Sequence, residues 1–384
     1  MTRRYRILYF IRFLGDSFFF PYFSLYIASL GYEGTTLGII LSITPFVNII
    51  ANTIWSIFTS DVQKTRKIIQ WITVIEALVV FLFTKLETIQ MVVLLTVLLG
   101  AIDGPYYNMQ DGITATYANN NNVEYSTIRV CASISYAIGS FLAGIVIQYY
   151  GYGTSFTVCA LLFFISVFLI HRIAPIKDAS IDKKKSGGNL KELLTNPSYL
   201  NYLVFILLCL NASSLADAYF VIYLQSIGLA ESNVGLVLGI TVVFEALTMI
   251  LLYRYGSKVS ERQWIIIALI LIIIRFGTYA LDLPLIPVLV VSSFKGISWG
   301  IILFANIKYI IKIVGIKQVT AAILVNSIAN SIISVIAHPI LGYIYKNIGF
   351  PQLFLIIIVI MIIGIIYNAI FPPKMYPVEK IEDN

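Results

Sequence analysis

Charge is what this 384-residue sequence has least of: Asp, Glu, Lys and Arg together make up 12% of it, about half the share of an ordinary soluble domain. So few ions cannot cover a water-facing surface, which excludes a conventional soluble globule. Histidine occurs twice and cysteine three times. Cys131, Cys159 and Cys209 fall in apolar stretches and form no CxxC pair, so neither a disulfide framework nor a thiolate metal site is expected. HExxH, GxSxG and the phosphate-binding loop are absent too, which removes common signatures of hydrolytic and nucleotide chemistry. The chain does not read as an enzyme, and no cofactor or metal is expected.

Apolar residues, at 59%, supply what charge does not. Stretches such as 264–274 and 353–366 are almost unbroken aliphatic runs. About 20 apolar residues cross a bilayer as a helix, and only helices or closed barrels satisfy the backbone within lipid. Barrel strands alternate over about ten residues; these runs are long and continuous, so helices are expected. The basic start at 1–6 leads into an apolar run passing Arg12, Asp16 and Pro21 without a small-residue cleavage site. It reads as a retained first helix.

Polar and glycine breaks divide the chain into twelve spans. Six lie near 6–30, 34–58, 67–85, 88–118, 125–149 and 152–172; six more near 197–227, 232–256, 262–281, 284–313, 317–345 and 350–372. Between the sets lies the polar, lysine-rich segment 173–196, read as an inner linker. The halves echo each other: 24–44 resembles 221–241 at an offset of 197, and 144–151 resembles 342–349 at an offset of 198. The expected fold is an all-α membrane protein of twelve transmembrane helices in two parallel-repeat six-helix bundles, 1–172 and 197–384. Such folds hold a solute near the midplane between repeats.

With both termini cytoplasmic, 19 of the 26 Lys and Arg residues fall in inner loops and tails, and only Lys85 and Lys346 fall outside. That asymmetry fits a multi-pass protein of the cell membrane. It also accounts for the net charge of +7 through contact with anionic lipid, so no nucleic-acid partner is expected. The chain is read as a monomer.

Ions within spans cost several kcal/mol at the bilayer centre, so each needs a reason. The acids are Asp16, Glu76, Asp103, Asp111, Asp217 and Glu245; the bases are Arg12, Arg129, Arg275, Lys295 and Lys308. Arg12 and Asp16, four residues apart, suit a pair on one helix face. Lys308 suits a snorkelling position. Asp111, Arg129, Glu245, Arg275 and Lys295 are the candidates for lining a cavity. The run Phe18-Phe19-Phe20 reads as lipid-facing, and His338 before Pro339 as a packed kink.

Several local patterns resemble the oligosaccharide–proton symporter (lactose permease-like) branch of the major facilitator superfamily. They are Pro21-Tyr22-Phe23 in the first span, Ser60-Asp61 followed by Arg66-Lys67, 104–111 with Arg129 eighteen residues beyond Asp111, and FKGISWGIILFANIKYI at 294–310. The resemblance implies a gating loop at Asp61, Arg66 and Lys67, although Ile57 and Lys64 stand where that loop has glycines. It implies sugar contacts from Asp111, Arg129, Tyr136 and Glu245: directional bonds from a carboxylate and a guanidinium, with a ring against the apolar sugar face. It also implies a charge network of Glu245, Arg275 and Lys295, with Asp217 alongside. Lys295 and Ser298 occupy the family's histidine and proton-carrying glutamate positions, so Glu245 or Asp217 is left to take a proton. The function implied is proton-coupled symport of a sugar or similar small polar solute. Efflux of lipophilic or cationic compounds, and a transport-inactive sensor, are the competing readings.

Overall fold

In the computed structural model, residues 1–58, 62–173, 190–281, 283–315 and 318–375 are described. Every long element is a helix. The chain opens with α1 (Thr2–Ser17), a 3-10 turn (Phe20–Tyr22) and α2 (Phe23–Ser29). Next come α3 (Gly34–Phe58), α4 (Val62–Leu82), α5 (Ile89–Asn120) and α6 (Ser126–His171). The short α7 (Leu190–Thr195) precedes α8 (Pro197–Ile206), α9 (Ala212–Asp217) and α10 (Phe220–Ser226). The last five are α11 (Glu231–Tyr255), α12 (Glu261–Ala280), α13 (Leu285–Val314), α14 (Val319–Asn347) and α15 (Phe350–Ile370).

Ten helices among the described residues are long and apolar enough to cross a membrane. The 46-residue α6 is two spans, because Gly151 adopts φ 80° and ψ 170° and turns the chain. With the broken α1–α2 segment, twelve spans result, close to the sequence boundaries. They carry exposed apolar side chains such as Ile250, Val290 and Ile336, each at least 60% exposed, which suits hydrocarbon rather than water.

The first span breaks where the sequence dictates. Pro21 has no N–H to donate to Ser17, and its ring crowds that carbonyl. Helix α1 therefore stops at Ser17. The break corrects the lipid-facing reading of the phenylalanine run. Phe18 and Phe19 turn inward and are buried; Phe19 packs 4.7 Å from Phe156 and 5.3 Å from Phe83, ring to ring.

The chain forms two compact units, and they do not follow chain order. The first holds 1–182 with 219–243 and 335–343; the second holds 183–218, 244–334 and 344–384. Within the first unit the repeat is visible as matched contacts. The buried Tyr22 hydroxyl donates to the Ser140 carbonyl at 2.8 Å, and the buried Tyr219 hydroxyl donates to the His338 carbonyl at 2.6 Å. Gly38 on α3 lies against the backbone of His338 on α14, and Gly235 on α11 against that of Ser140 on α6. Gly342 meets Gly34, while Gly144 meets Glu231. Each pair repeats the other at the 197–198 offset. At these crossings a side chain would collide with the facing backbone, so the helices approach on glycine.

On the other flank of the first unit, α5 lies on α3. Gly100 faces Thr44, Gly104 faces Asn48, and the Asn108 amide donates to Asn52 at 3.0 Å. The four-residue step on both helices is a continuous small-and-polar seam. In the second unit α12 begins with a reciprocal cap between Ser260 and Gln263, which satisfies two orphan N–H groups.

Candidate functional site

The first unit brings three aromatic side chains and two of the sequence candidates together. Tyr9 and Phe13, one turn apart on α1, stack at 5.8 Å between centroids. The Tyr9 hydroxyl donates to Asp111 Oδ1 at 2.7 Å. The Arg129 guanidinium carbon lies 4.5 Å above the Phe13 ring. Tyr107 meets Phe13 from α5 at 5.6 Å. Asp111 and Arg129, sugar contacts in the resemblance, form no ion pair with each other; each meets one ring of the Tyr9–Phe13 pair. Tyr125, at the start of α6, is within electrostatic reach of both. Asp111, Arg129 and Phe13 are all half-buried. The arrangement offers an acceptor, a multiple donor and flat apolar faces to one ligand. Tyr136 is half-buried on the same helix as Arg129, seven residues on, which is two turns and so the same face.

Next to this group lies a fully buried ionic cluster. Arg12 makes two bonds to Glu76, 2.8 Å to Oε2 and 2.7 Å to Oε1, and faces Asp16 Oδ1 at 3.3 Å. Its guanidinium carbon sits between the rings of Tyr106, at 4.0 Å, and Phe163, at 3.8 Å. The Tyr107 hydroxyl donates to Asp16 Oδ2 at 2.7 Å. The i, i+4 spacing of Arg12 and Asp16 announced half of this. Glu76 is 64 residues from Arg12 in the chain, and nothing local identifies it as the stronger partner.

In the second unit Asp217 is the hub. Its Oδ1 accepts from Arg275 at 2.8 Å, and its Oδ2 lies 3.7 Å from the Lys295 ammonium. Arg275 is buried, whereas the side chains of Asp217 and Lys295 are 21% and 26% exposed. Glu245, half-buried on α11, is in electrostatic reach of Lys295. Two acids and two bases thus share one region of this unit. Ser298 is buried one turn beyond Lys295 and bonds back to its carbonyl at 3.1 Å. Lys308 is exposed and lies over the Phe304 ring at 3.9 Å, a snorkelling position.

Of the gating-loop residues, Asp61 lies outside the described residues. Arg66 is half-buried and donates to the Ile173 carbonyl at 2.6 Å, tying the start of α4 to the end of α6, and Lys67 is exposed. Tyr9, Phe13 and Tyr107 are the site residues that sequence reasoning missed. Their signal was the four-residue step in Tyr5-Tyr9-Phe13 and Asp103-Tyr107-Asp111, which sets each series on one helix face.

The sequence matches the profile described as the MFS_1 like family over residues 2–356. Among curated proteins, maltose permease of Geobacillus stearothermophilus is 20% identical over 94% of this chain and 92% of that protein. A probable 3-phenylpropionic acid transporter of Escherichia coli (strain K12) is 20% identical over 91% of this chain and 92% of that protein. Among solved structures, the nucleoside transporter NupG superposes with a TM-score of 0.83 at 14% identity, covering 97% of this chain and 99% of that one.

Proposed function

The chain belongs to the MFS_1 like family of secondary transporters, and on that premise we propose that it carries a sugar or similar small polar solute in symport with protons. The observation that supports this most is the Tyr9–Phe13 ring pair flanked by a carboxylate and a guanidinium that do not neutralise each other. Vicinal hydroxyls bond to Asp111 and Arg129, and the rings take the apolar face of the solute. Tyr136, two turns from Arg129 on α6, extends the contacts. One relative, the maltose permease, is named for a sugar.

On this reading the repeats 1–172 and 197–384, joined by 173–196, expose the solute alternately to the two sides. Differential affinity of proton and solute for the two conformations couples their flows. Asp217, Arg275, Lys295 and Glu245 form the charge network of the second repeat, and Asp61, Arg66 and Lys67 the inner gate of the first. Both termini are cytoplasmic, and the protein works as a monomer.

Counterflow in proteoliposomes tests the reading with a panel of sugars, nucleosides and organic acids. One polar solute exchanges, and Arg129→Ala weakens its half-saturation. Loss of a charge-assisted bond costs about 1.5–3 kcal/mol, roughly a 10- to 150-fold change. Unchanged affinity in Arg129→Ala removes the proposed contact. A second reading, uptake of an aromatic carboxylate, is favoured by one fact: Arg129 has no carboxylate in ion-pair contact among the described residues. The same panel separates the two, because only one class of solute exchanges.

A further inference from the structure

We propose that the buried Arg12–Asp16–Glu76–Asp103 cluster of the first unit is a proton-binding site, with Asp103 as the carboxyl that gains and loses the proton. The inference deepens the symport reading above and depends on it for the role of that proton, though not for its presence.

Charge in this cluster does not balance. Glu76 is locked by both arms of the Arg12 guanidinium, so one acid is compensated by the one base it touches. Asp16 shares the same guanidinium at 3.3 Å, and Asp103 lies within electrostatic reach of Arg12, Asp16 and Glu76. The groups facing this cluster can be named from every element around it. They are Arg12 and Asp16 on α1, Glu76 on α4, Asp103, Tyr106 and Tyr107 on α5, and Arg129 and Cys159 on α6. Even counting Arg129, three carboxyls face two cations. Leaving an uncompensated ion at hydrocarbon depth is costly, and a proton is the smallest ligand that removes it.

Hydrogen bonding then indicates where the proton sits. Asp16 is 1% exposed, yet its Oδ1 receives no hydrogen bond among the described residues; the buried Oδ1 of Asp103 receives none either. Arg12 is wholly buried and its Nε has no acceptor. As a carboxylate Asp103 would hold a charge on an oxygen that no donor meets; protonated, it carries no charge to compensate. Asp103 is the only one of the three acids that keeps partial exposure, so it alone can trade a proton with water. Loading forms an O–H bond on Asp103 from water on one side, and release returns that proton to water on the other. No other bond changes.

The cluster also has a physical link to the solute face. The Tyr107 hydroxyl holds Asp16, and its ring packs on Phe13, which carries Arg129. A shift of charge at Asp103 and Asp16 therefore reaches the rings and the guanidinium that meet the solute. In the second unit, by contrast, Asp217 already faces two cations and has no such need.

Infrared spectroscopy of the full-length protein in lipid reads the proton directly and needs no solute. At about pH 8, roughly four units above an ordinary carboxyl, the protein retains a protonated-carboxyl stretch. Asp103→Asn loses it, and Asp103→Glu keeps it at a shifted position. In vesicles Asp103→Asn still exchanges solute at equilibrium but no longer concentrates it against a gradient. Absence of the stretch from the unaltered protein overturns the proposal, as does its persistence in Asp103→Asn or uphill uptake by that variant. If no solute in the panel moves while the band behaves as stated, the symport reading has failed and the proton site stands.

Discussion

Arg12 has no water to retreat to: it is enclosed by Tyr106, Phe163, Glu76 and Asp16. Removing one partner of such a buried pair leaves the other charge uncompensated, at about 3–5 kcal/mol. Arg12→Ala is therefore expected to lower the unfolding temperature in detergent sharply, and Arg12→Ala with Glu76→Gln to recover part of the loss. Equal melting of the single variant and the parent would mean that the cluster does not hold the bundle together. Asp217 is a milder case, because it and Lys295 keep partial access to water, although Arg275 does not. Asp217→Asn leaves the two cations facing each other and is expected to abolish accumulation with a smaller change in melting. The check is uptake measured beside detergent unfolding on the same preparation.

At the scale of elements, the spans were legible from hydropathy because lipid imposes one length and one composition on nearly all of them. Helices α3, α11 and α15 begin within a residue of their expected positions. Local runs were less legible. Phe18-Phe19-Phe20 has the composition of an interfacial belt, and only the break enforced by Pro21 turns it inward. The acids Glu76 and Asp103 were visible as anomalies without visible partners, since their contacts cross helices far apart in sequence. Tyr9, Phe13 and Tyr107 were hidden in a sequence with 25 tyrosines and 24 phenylalanines, where aromatic identity alone distinguishes nothing.

The glycine crossings give a prediction at this same scale. Gly38 with His338 and Gly235 with Ser140 bring backbones together, and a bulky residue at either cannot fit. Gly235→Trp is expected to separate α6 from α11. In a background with Cys131, Cys159 and Cys209 replaced by serine, a Ser140→Cys thiol, buried in the parent, then becomes reactive to a maleimide. A thiol that stays unreactive in the Gly235→Trp protein would show that the crossing is not broken by bulk at that glycine.

For the whole molecule, each compact unit contains its own ionic centre. One is short of positive charge around Asp103 and Asp16; the other balances Asp217 and Glu245 against Arg275 and Lys295. A transporter gains coupling when a proton and a solute favour the same conformation, and the first unit joins its acids to the proposed solute face through Tyr107 and Phe13. The most direct test is the pH of a weakly buffered suspension of de-energised vesicles carrying the protein, as candidate solutes are added. Proton-coupled entry predicts transient alkalinisation of the medium with one polar solute, abolished by an uncoupler and absent in Arg129→Ala. Entry of that solute with no movement of protons would contradict it.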